Sequence, residues 1–162
     1  MMNPAEFANI AQSEQDFWWY RGMRKITFAV LDPIARARKL NTVLEAGCGT
    51  GHFSLQLAQR YGWRMHSLDL GWEGLAFGKQ LGAPRMVQAD ICRLPYRTGA
   101  FDAVVSMDVP SKAKPTEQRH AIAEITAKAQ GVAEEQQHPD QNRRQTQPVI
   151  ALRPLAQKPR TE

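Results

Sequence analysis

Residues 42–51 constrain the fold more than any other stretch. Thr42-Val43-Leu44 is a short β-type run, Glu45 follows it, and Gly47, Gly49 and Gly51 then stand at alternate positions. Bare glycines at this spacing let the backbone turn sharply and approach a ligand closely, and residues from His52 to Tyr61 read as a helix leaving the turn. A strand, a glycine loop and a helix in that order read as a nucleotide-cofactor loop. A dinucleotide site would place a further glycine at position 52, where His52 stands, so an oxidoreductase-type Rossmann domain is disfavoured. An acidic residue just ahead of the first glycine suits a ligand carrying an ammonium and a sulfonium rather than a pyrophosphate.

The pattern continues downstream. A helix near His52 to Tyr61 closes at Gly62, and a strand follows near Arg64 to Leu68. A helix near Trp72 to Leu81 closes at Gly82, and a strand runs near Arg85 to Gln88. Phe101 to Met107 carries the unbroken apolar run Ala103-Val104-Val105, expected of a central strand covered on both faces. Upstream, Asn3-Pro4 starts a short helix with Phe7, Ile10 and Ala11 on one face. Phe17-Trp18-Trp19-Tyr20-Arg21-Gly22 reads as an aromatic hinge, and a second helix is expected over Met23 to Leu31, with Pro33 interrupting or kinking it.

Composition splits the chain of 162 residues in two. No Phe, Trp or Tyr occurs after Phe101, and residues 109–162 are loaded with Gln, Lys, Arg and Pro. The net charge of +5 is thinly spread, with 12 basic and 10 acidic side chains in residues 1–108 and 9 and 6 in the remainder, so no nucleic-acid stripe stands out. No apolar run suggests a membrane span, and Cys48 and Cys92 lack the paired spacing of a zinc site, so neither a membrane nor a metal is expected. With no secretory signal ahead of the first helix, a cytoplasmic protein is expected.

The ordered elements resemble the class I S-adenosylmethionine-dependent methyltransferases, and the local wording is most similar to their type 11 group. The resemblance runs from about Phe17 to Met107. It rests on Glu45-Ala46-Gly47-Cys48-Gly49-Thr50-Gly51, Leu68-Asp69-Leu70, Ala89-Asp90-Ile91, and Leu94-Pro95-Tyr96 ahead of Phe101-Asp102-Ala103-Val104.

It implies an α/β, Rossmann-like parallel sheet, with the cofactor S-adenosyl-L-methionine held by Glu45, Ala46, Gly47, Cys48, Gly49, Thr50, Gly51, Asp69, Leu70, Asp90 and Ile91. Asp69 would accept from both ribose hydroxyls, Asp90 from the adenine amino group beside the Ile91 N–H, and Glu45 would hold the cofactor's ammonium end. Each has a plainer alternative: a helix cap for Asp69, a turn for Asp90, a solvent-exposed strand end for Glu45. Trp18, Trp19, Tyr20 and Arg21 read either as a lid whose guanidinium pairs with the cofactor carboxylate or as core. Cys48 reads as a packing residue.

The implied reaction is methyl transfer to an unidentified small-molecule acceptor. No catalytic base is nominated, because Val109-Pro110-Ser111-Lys112 stands where the type 11 sequences continue with an apolar turn and a histidine. Oligomeric state is left open.

After Asp108 the resemblance fades. The expected organisation is an N-terminal helical segment (1–40), a cofactor-binding core (41–108) and a weakly structured or disordered tail (109–162), the sheet being incomplete by two or three strands. Within the tail, Thr116 to Val132 reads as a weak helix with Ile122, Ile125, Ala129 and Val132 on one stripe. Gln136 to Pro148 reads as disordered, and Val149 to Leu152 as a short strand. On this reading the fourth strand would be an exposed edge, and the chain a truncated or frame-altered methyltransferase whose competence is open. The alternative is a non-catalytic S-adenosylmethionine-binding module completed by a partner chain.

Overall fold

Short apolar runs separated by glycine turns become strands, and the amphipathic stretches between them become helices packed on both sheet faces. The structure, a computed structural model, describes residues 18–107, 115–129 and 149–152. Its strands are β1 (Thr42–Ala46), β2 (Arg64–Asp69), β3 (Met86–Gln88), β4 (Ala103–Ser106) and β5 (Val149–Leu152). They form one sheet in the order β3-β2-β1-β4-β5. The first four are parallel, and β5 runs antiparallel along β4. In register, Glu45 of β1 lies opposite Ser67 of β2 and Val105 of β4. The order reverses at β1, which makes the carboxyl ends of β1 and β4 a topological switch point, where open parallel sheets place ligands.

The helices are α1 (Trp18–Ala37), α2 (His52–Tyr61), α3 (Trp72–Gln80) and α4 (Pro115–Ala129). Helix α2 ends where Gly62 turns left-handed (φ 70°) and its N–H returns to the Ala58 carbonyl. Helix α1 corrects the expectation of a hinge followed by a helix over Met23 to Leu31. Trp18 to Arg21 form its first turn, and it continues through Pro33 to Ala37. The buried stripe Met23, Thr27 and Leu31 recurs every four residues and carries the helix across the hinge. Pro33 is tolerated because both it and Ala29, whose carbonyl loses its partner, lie on the exposed flank. The helix expected at Asn3-Pro4 lies outside the described residues.

Two cores flank the sheet. On one face Val43, Met65, Ala103 and Val105 pack with Leu31 of α1, Phe53 and Leu57 of α2, and Trp63. On the other, Leu44, Leu68 and Val104 pack with Ile91, Leu94, Phe101 and with Ala121, Ile125 and Ala129 of α4. Packing therefore continues past Asp108, through a helix and a strand where a weak helix over Thr116 to Val132 and a short strand over Val149 to Leu152 are expected. The buried stripe of α4 is Ala121, Ile125 and Ala129, with Ile122 turned half out of the core. Nor is β4 an open edge: β5 pairs with it from Ala103 to Ser106, and Phe101, Val104 and Val105 are buried. The expected disorder over Gln136 to Pro148 falls outside the described residues.

At the amino end of the sheet the polar groups satisfy one another. Asp102 Oδ2 accepts the backbone N–H groups of Asn41 and Thr42 at 2.9 Å each, tying the start of β4 to that of β1. Asp32 of α1 accepts from Arg60 at two points and from the Tyr61 hydroxyl at 2.6 Å. The Arg60 and Tyr61 bonds hold its carboxyl at about 2, against an ordinary 3.8.

Candidate cofactor site

The glycine loop crosses the carboxyl end of β2. The Gly47 and Cys48 N–H groups both donate to the Leu68 carbonyl, at 2.7 and 2.9 Å. Gly47, Gly49 and Gly51 all take left-handed backbone, with φ of 85°, 55° and 71°, a region side chains rarely adopt. Their surroundings differ. A Cβ on Gly51 would stand 2.7 Å from the Ala83 Cβ, whereas one on Gly49 would meet nothing within 4 Å. Gly49 thus faces open space, and Gly51 faces neighbouring protein.

Asp69, at the end of β2, is fixed by backbone alone. Its Oδ2 accepts the Gly49 N–H at 2.7 Å and its Oδ1 the Gly71 N–H at 2.8 Å. The second bond is a turn contact two residues on, so the plainer role is real. A carboxylate oxygen accepts more than one bond, so each retains acceptor capacity beside the open face of the loop. Leu70 and Trp72 flank Gly71 with large exposed apolar surfaces.

Asp90 lies in the exposed turn after β3, where its Oδ1 accepts the Cys92 N–H at 2.8 Å; the turn role is again real. Ile91 is buried beneath it. Ala46, Cys48 and Thr50 are buried in the loop and the strand leading to it. Glu45 is not an exposed strand end: it is 2% exposed and accepts the Ser54 hydroxyl of α2 at 2.5 Å.

The nominated residues therefore converge on the carboxyl ends of β1, β2 and β3, with Gly49 and Asp69 joined directly. Trp18 and Trp19 stand edge to face at 5.9 Å, and both are exposed.

Three contributors escape the motif. Ser54 and Ser67 are buried hydroxyls beside Glu45; their signal is a polar residue at a core position of an otherwise apolar stripe. Gly78 of α3 is the third. A Cβ there would lie 2.1 Å from the Thr50 carbonyl oxygen, so α3 presses backbone to backbone against the loop. Polar groups without a hydrogen-bond partner are rare at such depth, yet the Tyr96 hydroxyl is one. Burial and the nearby Cys48 thiol push its ionisation upward. Burial, and after it the charge of Arg24, push the ionisation of the His52 imidazole downward.

A parallel sheet with a glycine loop at its switch point, helices on both faces and carboxylates ending successive strands defines a Rossmann-like domain of the class I methyltransferase type. The chain belongs to the methyltransferase domain family, whose family model matches residues 43–129. Malonyl-[acyl-carrier protein] O-methyltransferase of Pectobacterium atrosepticum is 43% identical over 65 residues, which are 40% of this chain and 25% of that protein. A putative S-adenosyl-L-methionine-dependent methyltransferase from Methanococcus maripaludis superposes with a TM-score of 0.64 at 16% identity, covering 78% of this chain and 58% of that one. CalS10, an amino pentose methyltransferase from Micromonospora echinaspora whose structure has S-adenosylmethionine bound, gives 0.59 at 25% identity over 74% and 50%. The chain thus spans a quarter of the curated relative and 50–58% of these structural ones. The methyl donor of the family is S-adenosylmethionine. Among the described residues no helix is long and apolar enough to cross a membrane.

Proposed function

We propose that this chain binds S-adenosylmethionine at the carboxyl end of its sheet and transfers the methyl group to a small-molecule acceptor. The observation that carries the reading is Asp69, a carboxylate pinned by two backbone N–H groups yet able to accept further bonds beside the open face of Gly49. In this reading Asp69 takes the two ribose hydroxyls, Asp90 the adenine amino group and the Ile91 N–H the base edge. Leu70 covers the base, Ala46 to Gly51 lie along the methionine portion, and Glu45 meets the ammonium. Charge-assisted bonds to a carboxylate are about twice as strong as neutral ones, so Asp69 is the main anchor.

The cofactor supplies a methyl group on a positively charged sulfur, ready for in-line displacement. The chain's contribution is placement: a rigid loop, a fixed carboxylate and apolar walls hold the donor where an acceptor can approach. No base is assigned. The similar proteins are named for an amino pentose and for malonyl-[acyl-carrier protein], and amino sugars and short carboxylic acids are the first classes to try. The rival, a non-catalytic module completed by a partner, would bind the cofactor without transferring its methyl group; the edge of β4 that such a partner would cover is occupied by β5.

The test is calorimetric titration with S-adenosylmethionine and S-adenosylhomocysteine, followed by transfer of labelled methyl to those two acceptor classes. Saturable binding and label transfer are expected. A folded chain that binds neither nucleoside would end this reading.

A further inference from the structure

Among the described residues, the large apolar side chains left exposed are Trp18, Trp19, Ile26, Leu70, Trp72 and Leu81. Apolar residues exposed singly are ordinary on a protein surface. Leu70 and Trp72 are a pair: they stand on either side of Gly71, 66% and 63% exposed, in the segment that leaves the carboxyl end of β2 and starts α3.

The backbone beneath them is pinned. The Gly71 N–H donates to Asp69 Oδ1 at 2.8 Å, and Gln88 of β3 donates through Nε2 to the Leu70 carbonyl at 3.0 Å. Farther along α3, Gly78 leaves no room for a side chain against the Thr50 carbonyl. The segment is thus held to β2, to β3 and to the glycine loop, and the freedom left to Trp72 is rotation of its own side chain between staggered positions.

Its place in the chain decides what the indole can reach. Gly71 is bonded to the Asp69 carboxylate, and the Cα of Trp72 is the next one along, about 3.8 Å from that of Gly71. Trp72 is also the first residue of α3. In a helix every Cα–Cβ bond tilts toward the amino terminus, and the amino terminus of α3 lies beside Asp69, whose other oxygen holds Gly49 of the glycine loop. The tilt carries the indole toward the carboxyl end of the sheet. A flat apolar ring kept in water next to a carboxylate with spare acceptor capacity suits a ligand that is a diol at one end and a flat base at the other.

We propose that Trp72 is a cofactor-binding residue: its indole packs against the purine and ribose of the nucleoside that Asp69 anchors, so that Leu70 and Trp72 together close the nucleoside half of the site. This rests on the proposed reading that Asp69 takes the ribose hydroxyls. A base stacks on an aromatic side chain through its π face, so the contact adds affinity for the nucleoside and none for the methionine portion.

The experiment titrates the whole chain and its Trp72→Ala and Trp72→Phe variants with S-adenosylmethionine and with 5′-methylthioadenosine, which keeps the nucleoside and lacks the amino-acid portion. Trp72→Ala is expected to weaken both ligands by about tenfold, a loss within the range of base–aromatic stacking, and Trp72→Phe to recover most of it. The urea midpoint should stay where it is in both variants, because the side chain is exposed; a midpoint that falls along with the affinity would assign Trp72 to folding and overturn the proposal.

Tryptophan emission gives an independent reading. 5′-Methylthioadenosine should shift the emission of the unaltered chain, and the shift should vanish in Trp72→Phe, where Trp18, Trp19 and Trp63 remain. Unchanged affinity in Trp72→Ala, or an emission shift that survives whole in Trp72→Phe, overturns the proposal and leaves the reading of Asp69 standing. A loss confined to S-adenosylmethionine overturns it as well, since the indole would then meet the amino-acid portion. If the folded chain binds neither ligand, the cofactor reading and this proposal fall together.

Discussion

The two ends of the sheet use the same residue types to opposite effect. At the amino end, Asp102 and Asp32 are engaged by neighbours of the same chain: backbone N–H groups for one, Arg60 and Tyr61 for the other. At the carboxyl end, Asp69 takes one backbone bond on each oxygen and retains capacity beside a glycine that faces open space. A carboxylate's use is thus decided by what its local backbone already donates to it. The amino end holds the strands together, and the carboxyl end is arranged for something else to arrive.

The strongest way to break this contrast is Asp69→Ala. Two charge-assisted bonds at about 1.5–3 kcal/mol each predict at least a hundredfold loss of S-adenosylmethionine affinity by calorimetry; unchanged affinity would mean the ligand is held elsewhere. Next, Gly78→Ala forces a methyl against the Thr50 carbonyl, and overpacking of this kind costs about 1–3 kcal/mol. Both a fall in urea midpoint and weaker cofactor binding are expected, because the loop moves with α3. Asp102→Ala sharpens the contrast from the other side. It unpairs two backbone donors near the surface, for about 1 kcal/mol by urea unfolding, while cofactor affinity stays within about a factor of two.

The smallest effect is expected from Asp32→Asn, and it depends on pH. The folded carboxyl is held at about 2, below its ordinary 3.8, so its stabilisation is present above the ordinary value and lost as pH falls through the folded one. The difference in urea midpoint between the unaltered chain and the variant should therefore be steady near neutrality and shrink as pH drops below about 4. A difference that grows in acid would reverse the assignment.

Much of this arrangement is legible in the sequence because glycines and strand-ending carboxylates are local signals. Residues 42–51 specify strand, turn and helix by themselves, and Asp69 and Asp90 follow at strand ends. Helix α1 is less legible because Pro33 carries a strong local warning that an exposed flank overrides. Ser54 and Ser67 are harder still: each is an ordinary small polar residue until the fold turns it toward Glu45. The pairing of Val149 to Leu152 with β4 is set by partners far away in the chain, and no local pattern names them.

That last pairing has a consequence for how the chain assembles. Strands β1, β2 and β3 follow one another with single helices between, so their contacts close short loops and can form early. Strand β4 must travel back to β1 across everything in between, and its outer side then waits for a segment separated from it by residues 107–148. During that interval Val104 and Val105 present an unpaired apolar edge to any other copy nearby. The yield of folded chain should accordingly fall with concentration during refolding, even though the finished sheet has this side covered.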